Sequence, residues 1–434
     1  MIRKLILSAA MIAAGLTTQA QIAQWAQAFR QMKGVSNAHS GICIYEPATG
    51  KYLYQYQDDK FFTPASNTKI LTTYTALTLL GDSMTAFRYG MEGDTLFVQG
   101  SADPTFLHPA FEQQRAFEWL SKTNKHIALV PALNENLPFG PGWSWEDYDT
   151  DFQPERSEWP MYANVVNITY PIPNPKDPAS CISPSFFGRS ITLQVDNSHT
   201  KIEATRTWHS NQFFLRFPVW AAATLDVSVP YIMGNADDLR ARLVDTLKRD
   251  ITITPTRKLT NKFYSRPVDS ILRRMMFESD DMLAEHTLME CSNELLDTIS
   301  TAKVIDYMLA HSLKDLPQPP HWVDGSGLSR YNLFTPRDLV TVLKQMAASF
   351  PKKRLYGIFP TAGQGTLSNH YPGMAGAIYA KTGTFGNCFS LSGYLITKKG
   401  KTLIFSIMVN NHNDKSSTIR NAVEEFLTKV YENS

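Results

Sequence analysis

The chain has 434 residues, of which 43% are hydrophobic and 19% charged, and it contains no low-complexity tract or fixed-period repeat. These values are typical of a globular protein with a large core and more than one domain. The 42 Lys and Arg residues nearly balance the 40 Asp and Glu residues. This balance gives little support to a broad basic surface that would bind nucleic acid, so nucleic acid is not an expected partner.

The first twenty residues have the order of a secretory signal peptide. Arg3 and Lys4 precede an apolar run from Leu5 to Leu16, and Thr18-Gln19-Ala20 offers a cleavage site with small residues. The run is too short to cross a bilayer as a helix. We therefore predict a signal peptide over 1–20 and an extracytoplasmic, periplasmic location without a stable transmembrane span. A retained membrane anchor is the alternative interpretation.

The rest of the chain divides into three stretches. Residues 21–105 mix a strand-like Gly41–Glu46 with a helix from Ser66, and 229–434 show helical periodicity and then three strands and a last helix. Residues 106–228 hold six of the eight Trp and consist of short alternating runs joined by turns. We predict an α/β (α+β) catalytic domain over 21–105 and 229–434, interrupted by a β-rich insertion over 106–228.

The end of the chain carries the clearest pattern of secondary structure. Strands are predicted near 376–382, 389–397 and 402–410, with tight turns between them. A final helix follows, with apolar side chains in an i, i+3, i+4 stripe from Ile419 to Val430. Earlier helices are predicted over 237–249, 281–296 and 335–348.

A serine followed three residues later by a lysine places a hydroxyl and an amine on one helix face, where the amine can take the hydroxyl proton. Ser66 and Lys69 have this spacing, but so do three other pairs, at Ser198, Ser300 and Ser349. Only Ser66 stands at the start of an apolar helical run. The N-terminus of a helix favours developing negative charge, so Ser66 is the preferred candidate.

Two further segments carry suitable chemistry. Lys381-Thr382-Gly383-Thr384 lies on a predicted strand: the lysine supplies positive charge, the hydroxyls can bind a carboxylate, and Gly383 lets a substrate lie against the backbone. The alternative is a solvated edge strand. Ser279-Asp280-Asp281 precedes an apolar helix, where an ordinary helix cap is the competing interpretation. The three motifs together, in this order, are far more specific than any one of them.

These motifs resemble those of the penicillin-binding D-Ala-D-Ala carboxypeptidase/endopeptidase family, of the low-molecular-mass class C or peptidase S13 type. Four further segments resemble signatures of this family, in the same order along the chain: Gln99–Thr105, Asp324–Arg330, Thr335-Pro336 and Ala362–Leu367. The resemblance implies a serine β-lactamase/transpeptidase-like fold, with an antiparallel sheet flanked by helices and an insertion between the first two motifs. It implies no cofactor and no metal.

The resemblance also implies roles for the site residues. Ser66 would be the nucleophile that forms the acyl-enzyme, Lys69 its general base, and Ser279 the relay of a proton to the leaving amine. Lys381, Thr382 and Thr384 would hold the terminal carboxylate, with the backbone amides of Ser66 and Thr384 as oxyanion hole. The expected partners are peptidoglycan stem peptides that end in D-Ala-D-Ala, and β-lactams as covalent inhibitors.

Asp281 departs from the family pattern, in which the second motif usually ends in Asn. An amide can donate a hydrogen bond to a substrate carbonyl, whereas an ionised carboxylate cannot and would favour the charged form of Lys69. Asp281 therefore bears on catalytic rate and β-lactam sensitivity. It keeps open the hypothesis of a catalytically impaired homologue that binds peptidoglycan. A β-lactamase or esterase on the same fold is a second alternative.

The other reactive residue types form no recognisable site in the sequence. The ten His lie in no zinc-binding pattern, and His286 is more simply explained as a packed or surface residue. Cys43, Cys181, Cys291 and Cys388 are far apart in sequence, and their spacing predicts neither a redox motif nor a particular disulfide.

Overall fold

The protein is represented by a computed structural model that describes residues 19–170, 181–198, 200–218 and 225–434. Almost all of the predicted signal peptide lies outside these ranges; its last two residues, 19 and 20, are helical. No helix within the described ranges is long and apolar enough to cross a bilayer. All four cysteines are buried thiols, so none of them forms a disulfide.

The strands that precede residue 200 are β1 (His39–Glu46), β2 (Lys51–Tyr56), β3 (Ser83–Glu92), β4 (Thr95–Gly100), β5 (His126–Leu129), β6 (Val165–Tyr170), β7 (Ile182–Ser183) and β8 (Ile191–Val195). Those that follow are β9 (Glu203–Arg206), β10 (Phe213–Phe217), β11 (Leu225–Pro230), β12 (Ile251–Ile253), β13 (Asn261–Pro267), β14 (Ile378–Phe385), β15 (Cys388–Ile396) and β16 (Thr402–Asn410).

The α-helices are α1 (19–30 within the described ranges), α2 (Lys69–Leu79), α3 (Arg115–Lys122), α4 (Ala236–Leu247), α5 (Val268–Glu278), α6 (Asp281–Leu296), α7 (Thr301–Ala310), α8 (Pro336–Ser349), α9 (Lys352–Ile358) and α10 (Ser416–Asn433). The helices predicted near 237–249, 281–296 and 335–348 are confirmed as α4, α6 and α8.

The chain forms two compact units, each made of separate stretches of sequence. The first contains the described residues up to Thr75, together with Asp269–Asp280 and Ile305–Ser434. The second contains Ala76–Val268 and Asp281–Val304. The predicted insertion over 106–228 falls within the second unit, and its boundaries stay a prediction.

The first unit is built on a five-stranded antiparallel sheet in the order β14-β15-β16-β1-β2. Helices α1 and α10 contribute Phe29 and Phe426 to one core with the sheet, and these two rings stack 5.5 Å apart. The apolar stripe of the final helix is buried, as its period of about 3.6 residues predicts. The predicted antiparallel sheet with flanking helices is confirmed.

Strand β14 occupies one edge of this sheet. It pairs along its whole length with β15, so that Lys381 lies opposite Ser392 and Gly383 opposite Ser390. An edge strand leaves backbone hydrogen-bonding groups on its outer side, where an extended peptide can pair with it. The position of β14 therefore places the predicted Lys-Thr-Gly motif on a strand that can receive a substrate.

The second unit holds the remaining sheets. A five-stranded mixed sheet has the order β12-β5-β4-β3-β13, and two three-stranded sheets have the orders β8-β10-β9 and β11-β6-β7. The larger sheet shares a core with α3 and α4, in which Phe87 stacks on Trp159 with ring centroids 5.7 Å apart. The predicted richness in β-structure between 106 and 228 is confirmed by these short strands.

His286 is fully buried in the second unit. Its Nε2 accepts a hydrogen bond from the Ser157 backbone N–H at 3.2 Å, and its Nδ1 lies 2.9 Å from the Met282 carbonyl oxygen. Burial lowers the pKa of His286 to about 4, so the ring is neutral at pH 7. It is a packed residue, one of the two alternatives that the sequence predicted.

An ion pair in the first unit joins two segments that are far apart in sequence. The guanidinium of Arg337, in the first turn of α8, donates two hydrogen bonds of 2.8 and 2.7 Å to the carboxylate of Asp58, which follows β2. Burial disfavours the charged carboxylate, but the hydrogen bonds from Arg337 and Gln55 outweigh burial and lower the pKa of Asp58.

We expect Asp58→Asn to lower the free energy of unfolding by about 2 kcal/mol at pH 7, because the Arg337 guanidinium loses its charged acceptor. Since the folded-state pKa of Asp58 is lowered, its contribution is present above the unfolded pKa of about 4 and is lost as the pH falls through the folded value. Urea unfolding at pH 7 and pH 3 measures both effects. The exposed Asp59→Asn is the control, and an equal cost at both pH values would contradict this account.

Candidate active site

Ser66 lies on a single 3-10 turn, Ala65–Thr68, directly before α2. The prediction of an α-helix from Ser66 was wrong by three residues, because the regular helix begins at Lys69. Ala65 has a φ of 47°, in the left-handed region, so a regular right-handed helix cannot extend back through it. The side chain of Ser66 stays partly exposed, as a nucleophile must be.

The predicted partnership of Ser66 and Lys69 has the required geometry. Lys69 Nζ lies 3.1 Å from Ser66 Oγ and donates a hydrogen bond of 2.7 Å to the carbonyl oxygen of Ser326. The side chain of Lys69 is fully buried. The amine is therefore fixed on one side by a carbonyl and faces the hydroxyl on the other.

The three competing Ser-Lys pairs lie in other surroundings. Lys303 forms an ion pair with Glu135 at 2.6 Å, and the hydroxyl of Ser198 donates a hydrogen bond to Asp196 at 2.6 Å. Ser349 is exposed at the end of α8. These contacts agree with the choice of Ser66 on sequence context.

A loop built around Asp324 supports the Ser66 turn. The buried Asp324 carboxylate accepts hydrogen bonds from the backbone N–H groups of Gly327 and Ser329, at 2.9 and 2.7 Å. It also accepts one from the side-chain amide of Asn332 at 2.6 Å. This network fixes the loop that presents the Ser326 carbonyl to Lys69. Sequence reasoning found the segment but gave it no role.

Gly383 brings the edge strand against the Ser66 turn. A Cβ atom at this position would lie 2.6 Å from the Pro64 carbonyl oxygen and 3.0 Å from the Ser66 backbone nitrogen. Real Cβ atoms do not approach so closely, so only glycine permits this contact. The backbone of β14 thus passes directly beside the amide of the candidate nucleophile.

Two side chains that the sequence analysis did not select hold this contact together. Ser390 Oγ donates a hydrogen bond of 2.5 Å to the Pro64 carbonyl oxygen, and the Asn67 amide donates one of 3.0 Å to the Lys381 carbonyl oxygen. Both are buried. Asn67 follows the serine directly in the motif, which is the one signal that could have identified it from the sequence.

Lys381 is fully buried, and its amine reaches the second motif. Lys381 Nζ donates hydrogen bonds to Ser279 Oγ at 3.0 Å and to the Thr382 carbonyl oxygen at 2.7 Å. Ser279 has a φ of 59°, in the left-handed region that non-glycine residues rarely adopt. Strained backbone of this kind is concentrated at functional sites, where the surrounding structure must maintain it.

The structure therefore gathers most of the predicted site within the first unit. Ser66 contacts Lys69, and Ser279 contacts Lys381; the Asn67 hydrogen bond to the Lys381 carbonyl links the two pairs. Thr382 is buried, and Thr384 is exposed further along β14. Asp281 is the first residue of α6 and belongs to the second unit.

This arrangement provides a hydroxyl beside a buried amine, a second amine beside a second hydroxyl, and a glycine-lined edge strand. These are the parts needed for nucleophilic attack on an acyl group whose substrate carries a negative charge. Within the described ranges, no group of three or more His, Cys, Asp and Glu could hold a metal ion.

Known proteins of similar sequence point to the same chemistry. The D-alanyl-D-alanine carboxypeptidase DacB of Haemophilus influenzae is 22% identical over 425 residues, which cover 87% of each chain. The penicillin-sensitive carboxypeptidase A of Dictyostelium discoideum is 22% identical and covers 88% of this chain and 85% of that protein. A D-alanyl-D-alanine carboxypeptidase of an Actinomadura strain is 43% identical over 98 residues, which are 20% of this chain and 18% of that one.

The fold is similar to that of solved structures as well. The crystal structure of penicillin binding protein 4 of Haemophilus influenzae matches with a TM-score of 0.74 at 20% identity, over 95% of this chain and 99% of that one. A second structure of that protein, complexed with a β-lactam, matches with a TM-score of 0.69 at 18% identity over the same shares. Residues 19–430 match the D-Ala-D-Ala carboxypeptidase 3 (S13) family, and the chain belongs to this family.

Proposed function

We propose that the protein is a serine D-Ala-D-Ala carboxypeptidase and endopeptidase that acts on peptidoglycan stem peptides through an acyl-enzyme on Ser66. The observation that carries the proposal is the contact of 3.1 Å between Lys69 Nζ and Ser66 Oγ in a member of the S13 family. The described contacts of Ser66 and Lys69 do not favour the alternatives, which are a β-lactamase or esterase and an impaired binding protein.

Acylation begins when Ser66 Oγ attacks the carbonyl carbon between the two D-Ala residues. We assign the role of general base, which takes the hydroxyl proton in this step, to Lys69, because its nitrogen lies within hydrogen-bonding distance. We assign stabilisation of the oxyanion to the backbone N–H groups of Ser66 and Thr384. The closeness of Gly383 to the Ser66 nitrogen supports this role, because it brings the backbone of β14 next to the backbone of the Ser66 turn.

The second half of the site serves the leaving group and the terminal carboxylate. We assign proton delivery to the leaving amine to Ser279, whose hydroxyl is oriented by the hydrogen bond from Lys381 Nζ. The charge of Lys381 and the hydroxyls of Thr382 and Thr384 attract the carboxylate of the terminal D-Ala. D-alanine leaves when the amide bond breaks and the ester on Ser66 forms. Water then hydrolyses that ester, which releases the shortened peptide and restores the Ser66 hydroxyl, and no cofactor takes part.

Asp281 is the residue of the second motif that differs from the family pattern. An ionised carboxylate cannot donate a hydrogen bond to a substrate carbonyl, whereas the Asn usual in the family can. We assign Asp281 to substrate binding, as the motif implies. We place the enzyme outside the cytoplasm, where peptidoglycan lies and where the signal-like residues 1–20 would direct it, and we propose β-lactams as covalent inhibitors.

Ser66→Ala tests the proposal directly. We expect the variant to lose all covalent labelling by a fluorescent penicillin and at least about 1000-fold in release of D-alanine from purified muropeptides, because the acyl-enzyme cannot form. Ser349→Ala is the matched control, since it alters an exposed serine of the same Ser-Lys spacing. Equal labelling of the Ser66 variant and the wild type would remove Ser66 from the mechanism.

Gly383→Ala tests the approach of the edge strand to Ser66. The added methyl group would meet the Pro64 carbonyl and the Ser66 nitrogen, so the turn and the strand must separate. We expect acylation by penicillin to slow by about 100-fold, the usual effect of a small misplacement of reacting groups. Gly386→Ala, in the turn after β14, is the control because its Cβ would meet nothing within 4 Å. A similar rate for both variants would refute the role of the contact.

Ser279→Ala and Ser279→Gly separate the hydroxyl from the backbone strain. Both remove the hydroxyl that Lys381 orients, so we expect both to slow acylation by about 100-fold. The glycine variant should be at least as stable as the wild type, because glycine adopts a φ of 59° without steric cost. Stopped-flow acylation and thermal unfolding measure the two effects. Acylation near the wild-type rate in either variant would exclude Ser279 from proton transfer.

A further inference from the structure

The second unit contains a pocket whose residues have no part in the reaction proposed above. It encloses about 350 Å³, within the size range of small-molecule binding sites. Its wall comprises the segments 131–138, 155–159 and 233–242, and all of them belong to the second unit. The polar side chains that matter for its chemistry are Asn134, Asn136, Glu155, Arg156, Glu158 and Arg242.

Two of the charged groups in this wall already have protein partners. Glu155 pairs with Arg206, with an N to O distance of 3.5 Å, and Arg156 pairs with Glu285 at the same distance. The side chains of both pairs are almost fully buried. Because their charges are matched within the protein, these two side chains shape the pocket but do not require a charged ligand. The charge of the ligand is set by the remaining polar groups.

Glu158 is the carboxylate in this wall that lacks a cation. Within the described ranges its carboxylate forms no ion pair, and a hydrogen bond from the Ala132 backbone N–H is the influence that favours its ionised form. Burial raises the pKa of Glu158 to about 7, in spite of that hydrogen bond. The backbone at Glu158 is held in place, since its carbonyl oxygen accepts a hydrogen bond of 2.8 Å from the Ala102 N–H. A ligand with a positive charge would supply the missing partner.

Two buried donors in the same wall lack acceptors. Trp159 Nε1 and Arg242 Nε have no hydrogen-bond partner within the part of the chain that the structure describes. Trp159 is 2% exposed and Arg242 is 4% exposed, so bulk solvent does not reach them freely. A buried N–H group without an acceptor costs free energy. A ligand oxygen, and above all a negatively charged one, would remove this cost.

We propose that this pocket binds an amino-acid zwitterion, with the ligand ammonium on Glu158 and the ligand carboxylate on Arg242 and Trp159. A neutral sugar would leave Glu158 without a counter-charge, and a simple amine would leave the two N–H donors without an acceptor. A bare metal ion is disfavoured because one carboxylate is too small a ligand set. A group with both charges on neighbouring carbon atoms meets both demands.

Only the identity of the molecule that carries the zwitterion rests on the proposed function. Free D-alanine is the product of the reaction and is itself a zwitterion. A diamino acid within a stem peptide can present an equivalent end on its side chain. The first source would make the pocket a product site, whereas the second would make it an anchor for substrate peptides at a point remote in sequence from Ser66.

The test is isothermal titration of the full chain with D-alanine and, separately, with meso-diaminopimelic acid. We expect saturable binding of at least one of them, with affinity that rises between pH 6 and pH 8 and with release of a proton to the buffer, as Glu158 ionises on binding the cation. The charged neighbours Glu155 and Arg156 keep their own partners throughout. Binding of D-alanine supports the product site, and binding of diaminopimelic acid alone supports the peptide anchor.

Glu158→Gln is the decisive variant because it keeps the shape of the side chain and removes its charge. We expect about a tenfold loss of affinity and loss of the pH dependence. Glu135→Gln is the matched control, since its exposed carboxylate pairs with Lys303 and does not line the pocket. Proton release by the wild type is a second measurement that needs no variant.

Three results would overturn the proposal: no binding of either ligand, equal affinity for N-acetylglucosamine, or binding that survives Glu158→Gln but is lost in Lys381→Met. The last result would place the ligand at the Ser66 site. Penicillin labelling of Ser66 is measured on the same preparations, so failure of this inference is distinguished from failure of the proposed peptidase activity.

Discussion

The proposed chemistry depends on one buried amine. Lys69 is fully enclosed, and its nitrogen is held between the Ser326 carbonyl oxygen at 2.7 Å and the Ser66 hydroxyl at 3.1 Å. A long lysine side chain in solvent samples many rotamers, and fixing it carries an entropic cost. Here the protein meets that cost through packing and through the Asp324 network, which orders the loop that carries the carbonyl. The nucleophile is thus prepared before substrate arrives.

Backbone shape, as much as side-chain chemistry, brings the site together. Gly383 allows β14 to touch the Ser66 turn, and Gly327, with a φ of 88°, packs against the same turn from the Asp324 loop. Ala65 and Ser279 adopt left-handed conformations that cost about 1–3 kcal/mol each in an ordinary setting. Such strain persists because hydrogen bonds from Ser390, Asn67 and Lys381 hold the neighbouring segments in place.

The second unit has a different character from the site around Ser66. Ion pairs that are internally matched line its pocket, together with three groups that lack a partner within the described ranges: the Glu158 carboxylate lacks a cation, and Trp159 Nε1 and Arg242 Nε lack an acceptor. Unmatched polar groups in a buried wall are destabilising unless something binds them. This contrast, rather than the size of the cavity, distinguishes a ligand site from a packing defect and gives the Trp-rich stretch a function beyond its β-structure.

Local sequence determined the parts that depend on short spacings: the amphipathic helices, the three final strands, and the one-turn separation of Ser66 from Lys69, because periodicity and helix geometry act over a few residues. It also supplied the order of motifs that identified the family. The tertiary structure decided which distant groups complete the site. No local pattern could reveal that the Ser326 carbonyl holds Lys69, that Asn67 and Ser390 secure the edge strand, or that Ser66 begins on a 3-10 turn. Those features arise from contacts between segments hundreds of residues apart, and only the folded backbone fixes them.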